Sequence, residues 1–316
     1  MLIYNELKKL NKASDEQFIL IDRLQKIESV INKYGEEKFY ISFSGGKDST
    51  VLSALVDLAL PGNNIPRVYA NTGIELNMVR DFVLKMKETD PRIEIIKPST
   101  PIKPMLERDG YPFKSKSHAH NVERYQRIGM CPSVQSYIKG DWGSKNSCPK
   151  CLKYQFTDEC KLPISDLCCV NLKEKPMIKW AQAHNKSVAI VGVMQDEGGR
   201  REYANCLVFK NSELEKFQPM SVVTKNWEEW FIKEYQIEIC PIYYPPYNQE
   251  RTGCKGCPFN LHLEQELDML ARFFPAERKQ CELIWKPVYD EYRRLGYRLK
   301  DNKGQIEGQI NLIDFI

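Results

Sequence analysis

Apolar positions fall into two periods along the first hundred residues. In DEQFILIDRLQKIESVINKY (15–34), Phe18, Ile21, Leu24, Ile27, Val30 and Ile31 recur at helical intervals. That spacing predicts an amphipathic helix stopped by Gly35. FYISF (39–43) is a short β-rich run of the kind buried in a parallel sheet. STVLSALVDLAL (49–60) reads as a helix closed by Pro61-Gly62, and RVYANTG (67–73) as the next strand. ELNMVRDFVLKMKE (75–88) reads as a helix and IEIIKP (93–98) as a third strand, while SVAIVGV (187–193) repeats the strand signature later. The β-α-β-α-β alternation predicts an α/β fold: a parallel twisted sheet with right-handed crossovers, flanked by helices.

Residues 99–186 break the alternation. They are irregular and rich in Lys, Pro, Cys and His, and predict an active-site insertion or lid with helical pieces near 134–138 and 173–184. From Trp227 onward the pattern is helical, interrupted by CPIYYPPYNQERTGCKGCPF. The expected division is an N-terminal helical segment (1–35), a core domain (36–260) carrying the Cys-rich insertion at about 99–186, and a helical C-terminal region (261–316). No internal repeat is present.

Composition narrows the chemistry. The chain has 316 residues, 42% of them hydrophobic and 28% charged. No apolar run approaches the roughly 20 residues of a membrane-spanning helix, so no membrane partner is expected. MLIYNELKKLNKASDE lacks a basic-then-apolar leader pattern, and a cytoplasmic location is expected. A net charge of +4 suits a polyanionic substrate but is too small to imply nucleic-acid binding. Eleven cysteines, none in the first 130 residues, point in a reducing compartment to metal, cluster or redox chemistry rather than disulfides.

A strand ending at Phe43, a glycine pair, and a helix from near Ser49 form a recipe for holding phosphate. Gly45 and Gly46 allow a sharp turn and close approach of the backbone. The amides and the positive end of the helix dipole then face the anion. Ser44, Ser49 and Thr50 offer hydroxyls, Lys47 adds charge, and Ser42 on the strand joins the nucleotide-binding set. The spacing is not that of the Walker loop. Ser44-Gly45-Gly46-Lys47-Asp48-Ser49 instead resembles the SGGKDS signature of the PP-loop ATP pyrophosphatases, within the adenine nucleotide alpha hydrolase-like superfamily.

Further segments resemble the phosphoadenosine phosphosulfate (PAPS) reductase family. Asn71-Thr72-Gly73 followed by Glu75 is similar to the family's DTG segment after the second strand, with Asn71 in place of Asp. Asp166-Leu167-Cys168-Cys169 through Lys173 and Pro176 resembles the paired-cysteine segment of adenylylsulfate reductases. Gly192-Val193-Met194-Gln195-Asp196-Glu197 with Arg201 resembles the GVRADES..R stretch, departing from it at Met194 and Gly198. The run from Trp227 to Arg251-Thr252-Gly253-Cys254-Lys255-Gly256-Cys257-Pro258-Phe259 is similar to the end of the family core, so the resemblance covers roughly residues 20–265 in order.

The resemblance implies two chemistries. Pyrophosphatases adenylate a substrate and release pyrophosphate; sulfonucleotide reductases reduce bound sulfate. In the first, Ser44 to Thr50 would cradle the phosphates of ATP, Mg2+ would bridge them, and Lys47 and Arg201 would stabilise charge in the transition state. Asp48 would orient the loop or approach the metal. The intact SGGKDS favours ATP activation coupled to sulfur transfer. The paired cysteines and the C-terminal CxxC, Cys254 with Cys257, fit a PAPS reductase, or sulfur-modifying relatives such as the DNA phosphorothioation enzymes. No cysteine follows Cys281, which disfavours a reductase with its catalytic cysteine in a C-terminal tail. A nucleotide-binding regulatory or nucleic-acid-modifying component is the remaining alternative.

By the same resemblance, Cys168, Cys169, Cys254 and Cys257 form a four-thiolate set suited to a 4Fe-4S cluster, with zinc as the alternative. Cys148 and Cys151, with Cys131 and Cys160 nearby, make a second CxxC: a zinc knuckle, a reactive sulfur carrier, or thiols with no cofactor. Cys206, Cys240 and Cys281 sit among apolar neighbours and are expected in the core. Lys114, Lys116, His118, His120, Arg124 and Arg127 either close over phosphate or form a solvated helix face. Tyr243, Tyr244 and Tyr247 are expected to pack rather than stack on a base, and Arg293, Arg294 and Arg298 give a basic helical face that weakly suggests nucleic acid. The sulfur donor or acceptor stays open, as does the oligomeric state, a homodimer being one option.

Overall fold

The structure is a computed structural model that describes residues 14–141, 143 and 147–300, without the side chains of residues 199 and 200. Its elements in chain order are α1 (Asp15–Tyr34), β1 (Phe39–Phe43), α2 (Lys47–Ala59), β2 (Arg67–Ala70), α3 (Asn77–Thr89) and β3 (Ile93–Ile96). There follow α4 (Ile102–Asp109), α5 (Lys116–Ile128), α6 (Pro132–Lys139), α7 (Lys175–Ala183), β4 (Val188–Ile190), β5 (Leu207–Lys210) and β6 (Glu213–Phe217). The last four helices are α8 (Lys225–Glu234), α9 (Leu263–Phe273), α10 (Pro275–Ile284) and α11 (Lys286–Leu295). They divide into two compact units, residues 1–102 with 169–254, and residues 103–168 with 255–316. None of the described helices is long and apolar enough to cross a membrane.

The first unit is built on a six-stranded sheet of order β3-β2-β1-β4-β6-β5. All neighbours are parallel except the β5–β6 hairpin. Ile41 pairs with Arg67 on one side and Ile190 on the other. The strand order therefore reverses at β1, and the carboxyl end of β1 is the topological switch point, where open α/β sheets bind ligands. One face of the sheet is closed by α1, α2 and α8. Phe39, Ile41 and Phe43 pack there with Leu20, Leu24, Ile27, Leu52, Leu55, Val56 and Phe231 in one buried cluster. Each such side chain contributes about 1.5–3 kcal/mol on burial. On the other face Tyr40 and Val68 pack with Trp180 and Ala181 of α7.

Helix α1 starts as a capping box: the Ser14 hydroxyl accepts from the Gln17 amide and the Gln17 side chain accepts from the Ser14 amide at 3.0 Å. The expected apolar stripe is corrected at one end. Phe18 is 59% exposed and Leu20 is fully buried in its place, because the stripe runs Leu20, Leu24, Ile27, Ile31.

The 99–186 stretch is far more ordered than its composition suggests. Its residues 103–168 carry α4, α5 and α6 and fold with the C-terminal helices into the second unit. At its centre is His118, fully buried, bonded to Tyr137 Oη at 2.8 Å and Gln155 Oε1 at 2.6 Å. Burial pushes its pKa down to about 4, so the imidazole is neutral. Of the two readings of 114–127, a solvated helix face holds for Lys116, His120 and Arg127, which are exposed, but not for His118. The segment is a helix with His118, Ala119, Asn121 and Val122 turned into the core, whereas His120 is exposed beside Asp166.

The Lys255-Gly256-Cys257 part of the CKGC turn is held from below within this unit. Lys255, almost fully buried, pairs with Glu277 at 2.9 Å, and Trp285 Nε1 donates to the Lys255 carbonyl at 3.0 Å. Tyr289 and Tyr292 donate their hydroxyls to the carbonyls of Gly256 and Pro258. Gly256 is needed here: its φ is +60°, and an added Cβ would lie 2.8 Å from Cys281 Sγ.

Candidate functional site

The loop from Ser44 to Thr50 is fastened by its own hydroxyls. The Gly46 amide donates to Ser44 Oγ at 3.2 Å, and Ser44 Oγ lies 2.9 Å from Ser49 Oγ. Ser49 and Thr50 donate to the Gly46 carbonyl at 3.0 and 2.9 Å. The two buried hydroxyls thus shape the turn. Gly46 is the N-cap of α2 and offers no side chain to cap it; the Lys47 amide meets the Tyr243 hydroxyl, and an uncapped helix start of this kind suits an anion.

Both glycines are required by packing. Gly45 has φ +69°, and an added Cβ would lie 2.3 Å from Val83 Cγ2. A Cβ on Gly46 would meet Tyr243 Oη at 2.9 Å. Tyr243 in turn shares a 2.6 Å hydrogen bond with Thr252. Gly192 plays a matching part from the loop just after β4: its Cβ would lie 2.9 Å from the Asp48 carbonyl. Its role is thus to let the first turn of α2 come close.

Lys47 does not reach out into solvent. Its ammonium lies 2.7 Å from Glu229 Oε1 and 3.3 Å from Glu228 Oε2. Burial works against its charge, but the two carboxylates outweigh that and raise its pKa. Glu228 is 0% exposed. Neither of its oxygens is aligned for a hydrogen bond, although the Lys47 charge is within ion-pair reach. Burial first, then the Asp48 charge, push its pKa up to about 7.

Arg201 is paired with Glu197, and Arg251 Nη2 reaches the same carboxylate at 3.2 Å. Burial and the neighbouring Arg251 lower the Arg201 pKa, against a smaller pull from Asp48. Two guanidinium groups therefore share one nearly buried acid close to the charge of the loop. Glu75, also buried, closes the Asn71-Thr72-Gly73 turn by accepting from the amides of Thr72 and Gly73 at 3.1 Å. Asn71 Oδ1 takes the Gly73 amide as well, at 3.1 Å.

A cavity of about 600 Å³ opens beside the loop, lined among others by Tyr40, Ser42, Ser44, Tyr69, Glu75 and Met177. That volume is ample for a nucleoside. Ser42, Ser44 and Glu75, expected from the sequence to bind nucleotide, share this cavity. Gly192, Asp48 and Arg201 lie at the loop rather than on its lining.

The cysteines differ in exposure. Cys168 is buried and Cys169, Cys254 and Cys257 are half-buried. The first unit holds Cys169 and Cys254, and the second holds Cys168 and Cys257. Cys148 is buried, which pushes its thiol up to about 11, while Cys151 is exposed. Among the described residues no three His, Cys, Asp or Glu side chains gather to hold a metal ion. Cys240 and Cys281 are fully buried as expected, but Cys206 is only half-buried. The basic face expected at the C-terminus is largely neutralised: Arg293 pairs with Glu282 at 2.6 Å and Arg294 with Glu291 at 2.6 Å.

Sequence reasoning missed Glu228 and Arg251. A Glu-Glu pair in a helix reads as a wet face, and only its place between Trp227 and Phe231, both buried, marks Glu228 as inward. Arg251 stood next to a motif valued for its cysteines.

The chain is similar to one protein-family model and to several solved structures. No curated protein matches the chain in sequence. Among solved structures, phosphoadenylyl-sulfate reductase from Candida auris in its phosphate complex aligns at 10% identity and TM-score 0.37, over 73% of this chain and 91% of that one. NH3-dependent NAD synthetase from Campylobacter jejuni aligns at 13% identity and TM-score 0.39, over 91% and 99%. U34-tRNA thiolase from Methanococcus maripaludis, with its 4Fe-4S cluster, aligns at 13% identity and TM-score 0.40, over 93% and 86%. The model of the phosphoadenosine phosphosulfate reductase domain matches residues 38–140, the stretch that opens with β1 and the Gly45-Gly46 turn. The chain is thus similar to the phosphoadenosine phosphosulfate reductase domain over residues 38–140.

Proposed function

We propose that this protein is a PP-loop enzyme that binds ATP at the carboxyl end of β1 and activates a substrate by adenylation with release of pyrophosphate, serving sulfur transfer. The observation that carries the reading is the Gly45-Gly46 turn: two glycines that admit no side chain, opening an uncapped helix start at the switch point of the sheet. Phosphates lie on the amides of the first turn of α2. Lys47, Arg201 and Arg251 supply the positive charge, and the adenosine occupies the cavity lined by Ser42, Ser44 and Glu75. Charge developing on the leaving pyrophosphate would be met by groups already fixed in place, the usual basis of catalysis at phosphorus. Mg2+ accompanies the phosphates in this reading.

Cys168, Cys169, Cys254 and Cys257 are the set proposed to hold a 4Fe-4S cluster. Thiolates suit iron–sulfur chemistry, and three of the four are half-buried rather than sealed in the core. Such a cluster would supply a site for sulfur or electron transfer. Cys148 and Cys151 fit a shared zinc less well, since one is buried and the other exposed.

The test is product analysis on the anaerobically purified chain. Incubation with Mg-ATP and candidate sulfur acceptors should release pyrophosphate and AMP. Sulfite from PAPS with no pyrophosphate from ATP would replace this reading by a sulfonucleotide reductase.

A further inference from the structure

Glu228 is the one acid of the site whose position is hard to explain by folding alone. It is 0% exposed, and both carboxylate oxygens lack an aligned hydrogen-bond donor. A buried ionised carboxylate without donors is costly and persists only beside a compensating charge. The groups facing it are Lys47 and Asp48 from α2 and Glu229 from its own helix, with Tyr244 from the segment after β6 and α8 close to the same charges. Lys47 is the cation among them, 3.3 Å from Glu228 Oε2. Lys47 also belongs to the phosphate loop.

Resting on the nucleotide reading above, we infer that bound phosphate and Glu228 compete for the Lys47 ammonium, and that Glu228 takes up a proton from solvent when phosphate draws Lys47 away. Glu228 is thereby a positioning residue that couples nucleotide binding to protonation. The balance is simple: one carboxylate becomes one carboxylic acid, and no bond to the nucleotide changes. A phosphate nearby adds negative charge while the cation moves off, and both effects favour the protonated acid. Glu229 behaves differently. Its side chain is 42% exposed, so water can solvate its charge once Lys47 leaves.

The direction with pH follows. Burial already holds the Glu228 pKa near 7, and binding raises it further. Well below pH 7 the acid is protonated before ATP arrives and no uptake occurs. Above pH 7 it is ionised before binding and protonated after, so uptake approaches one proton and affinity falls with rising pH.

The experiment is calorimetric titration of the full chain with ATP in buffers of different ionisation enthalpy, for wild type, Glu228→Gln and Glu229→Gln. ATP's own protons cancel in the difference between variants. Wild type should take up more protons than E228Q, the excess growing from near zero at about pH 5.5 toward one at about pH 8. E229Q should keep that excess. Equal uptake in wild type and E228Q, both binding ATP, overturns the inference, as does an excess lost in E229Q instead. Wild type failing to bind ATP would remove the nucleotide reading itself. Should E228Q not fold, the wild-type Kd decides: between about pH 7.5 and 9 it should rise by up to tenfold per unit, and a flat Kd refutes the coupling.

Discussion

Replacing Gly45 by alanine tests the packing that shapes the loop. The backbone there has φ +69°, and the new Cβ would lie 2.3 Å from Val83 Cγ2 and 3.2 Å from Val79 Cγ1. Val83 is fully buried in α3 and, being β-branched, has little freedom to turn away. The left-handed backbone costs an L-residue about 1–2 kcal/mol. Overpacking of a filled core adds about 1–3 kcal/mol. G45A should therefore lose about 2–5 kcal/mol of stability in urea denaturation, together with most of its ATP affinity. Val83→Ala removes the clashing methyls at its own cavity cost. In the V83A background the Gly45 substitution should cost only the backbone part, a coupling of about 1–3 kcal/mol. Additive losses in the double mutant would refute the steric argument, as would a G45A protein as stable as wild type.

Five further outcomes follow. Lys47→Met removes a charge-assisted contact worth about 1.5–3 kcal/mol, so ATP should bind roughly ten- to a hundredfold more weakly in equilibrium titration, with less dependence on salt. Glu228 has a folded pKa raised from the ordinary 4.5 to about 7. It carries no penalty below about pH 4.5 and its full penalty, roughly 3 kcal/mol at most, above about pH 7. E228Q should therefore gain stability relative to wild type as the pH of the melt rises from about 5 to about 8, and a constant difference would contradict this. Lys255→Met removes the cation paired with the buried Glu277 carboxylate and should cost about 3–5 kcal/mol, much of it recovered by adding Glu277→Leu. Anaerobic protein should carry about four irons if the cluster reading holds, whereas stoichiometric zinc without iron would overturn it. Thiol labelling should reach the exposed Cys151 first and leave Cys240 and Cys281 protected, the last with its thiol pushed up to about 12.

The sheet core was legible because its signals are local. FYISF coincides with β1, and the helix after it begins two residues earlier than its apolar pattern suggested, since Lys47 and Asp48 form a polar first turn. The β5–β6 hairpin was passed over. Its strands mix charge with apolar residues, and its only marker is Asn211-Ser212, both at positive φ, +50° and +67°, as a two-residue hairpin turn requires. The second unit was hidden for another reason. Its core joins Phe113 to Tyr292 with rings 4.5 Å apart, a contact between residues far separated in sequence that no local period reports. Within the site, motif residues were found but their partners were not. Lys47 was legible, whereas its tie to Glu228 depends on how α8 packs on α2.

Hydrogen–deuterium exchange of the Lys47, Asp48 and Ser49 amides, with and without Mg-ATP, tests the central claim most directly. The account predicts that saturating ATP slows exchange of these first-turn amides, and that Lys47→Met weakens the effect without moving it elsewhere. ATP that binds while these amides exchange at an unchanged rate would place the phosphates away from the loop and contradict the account.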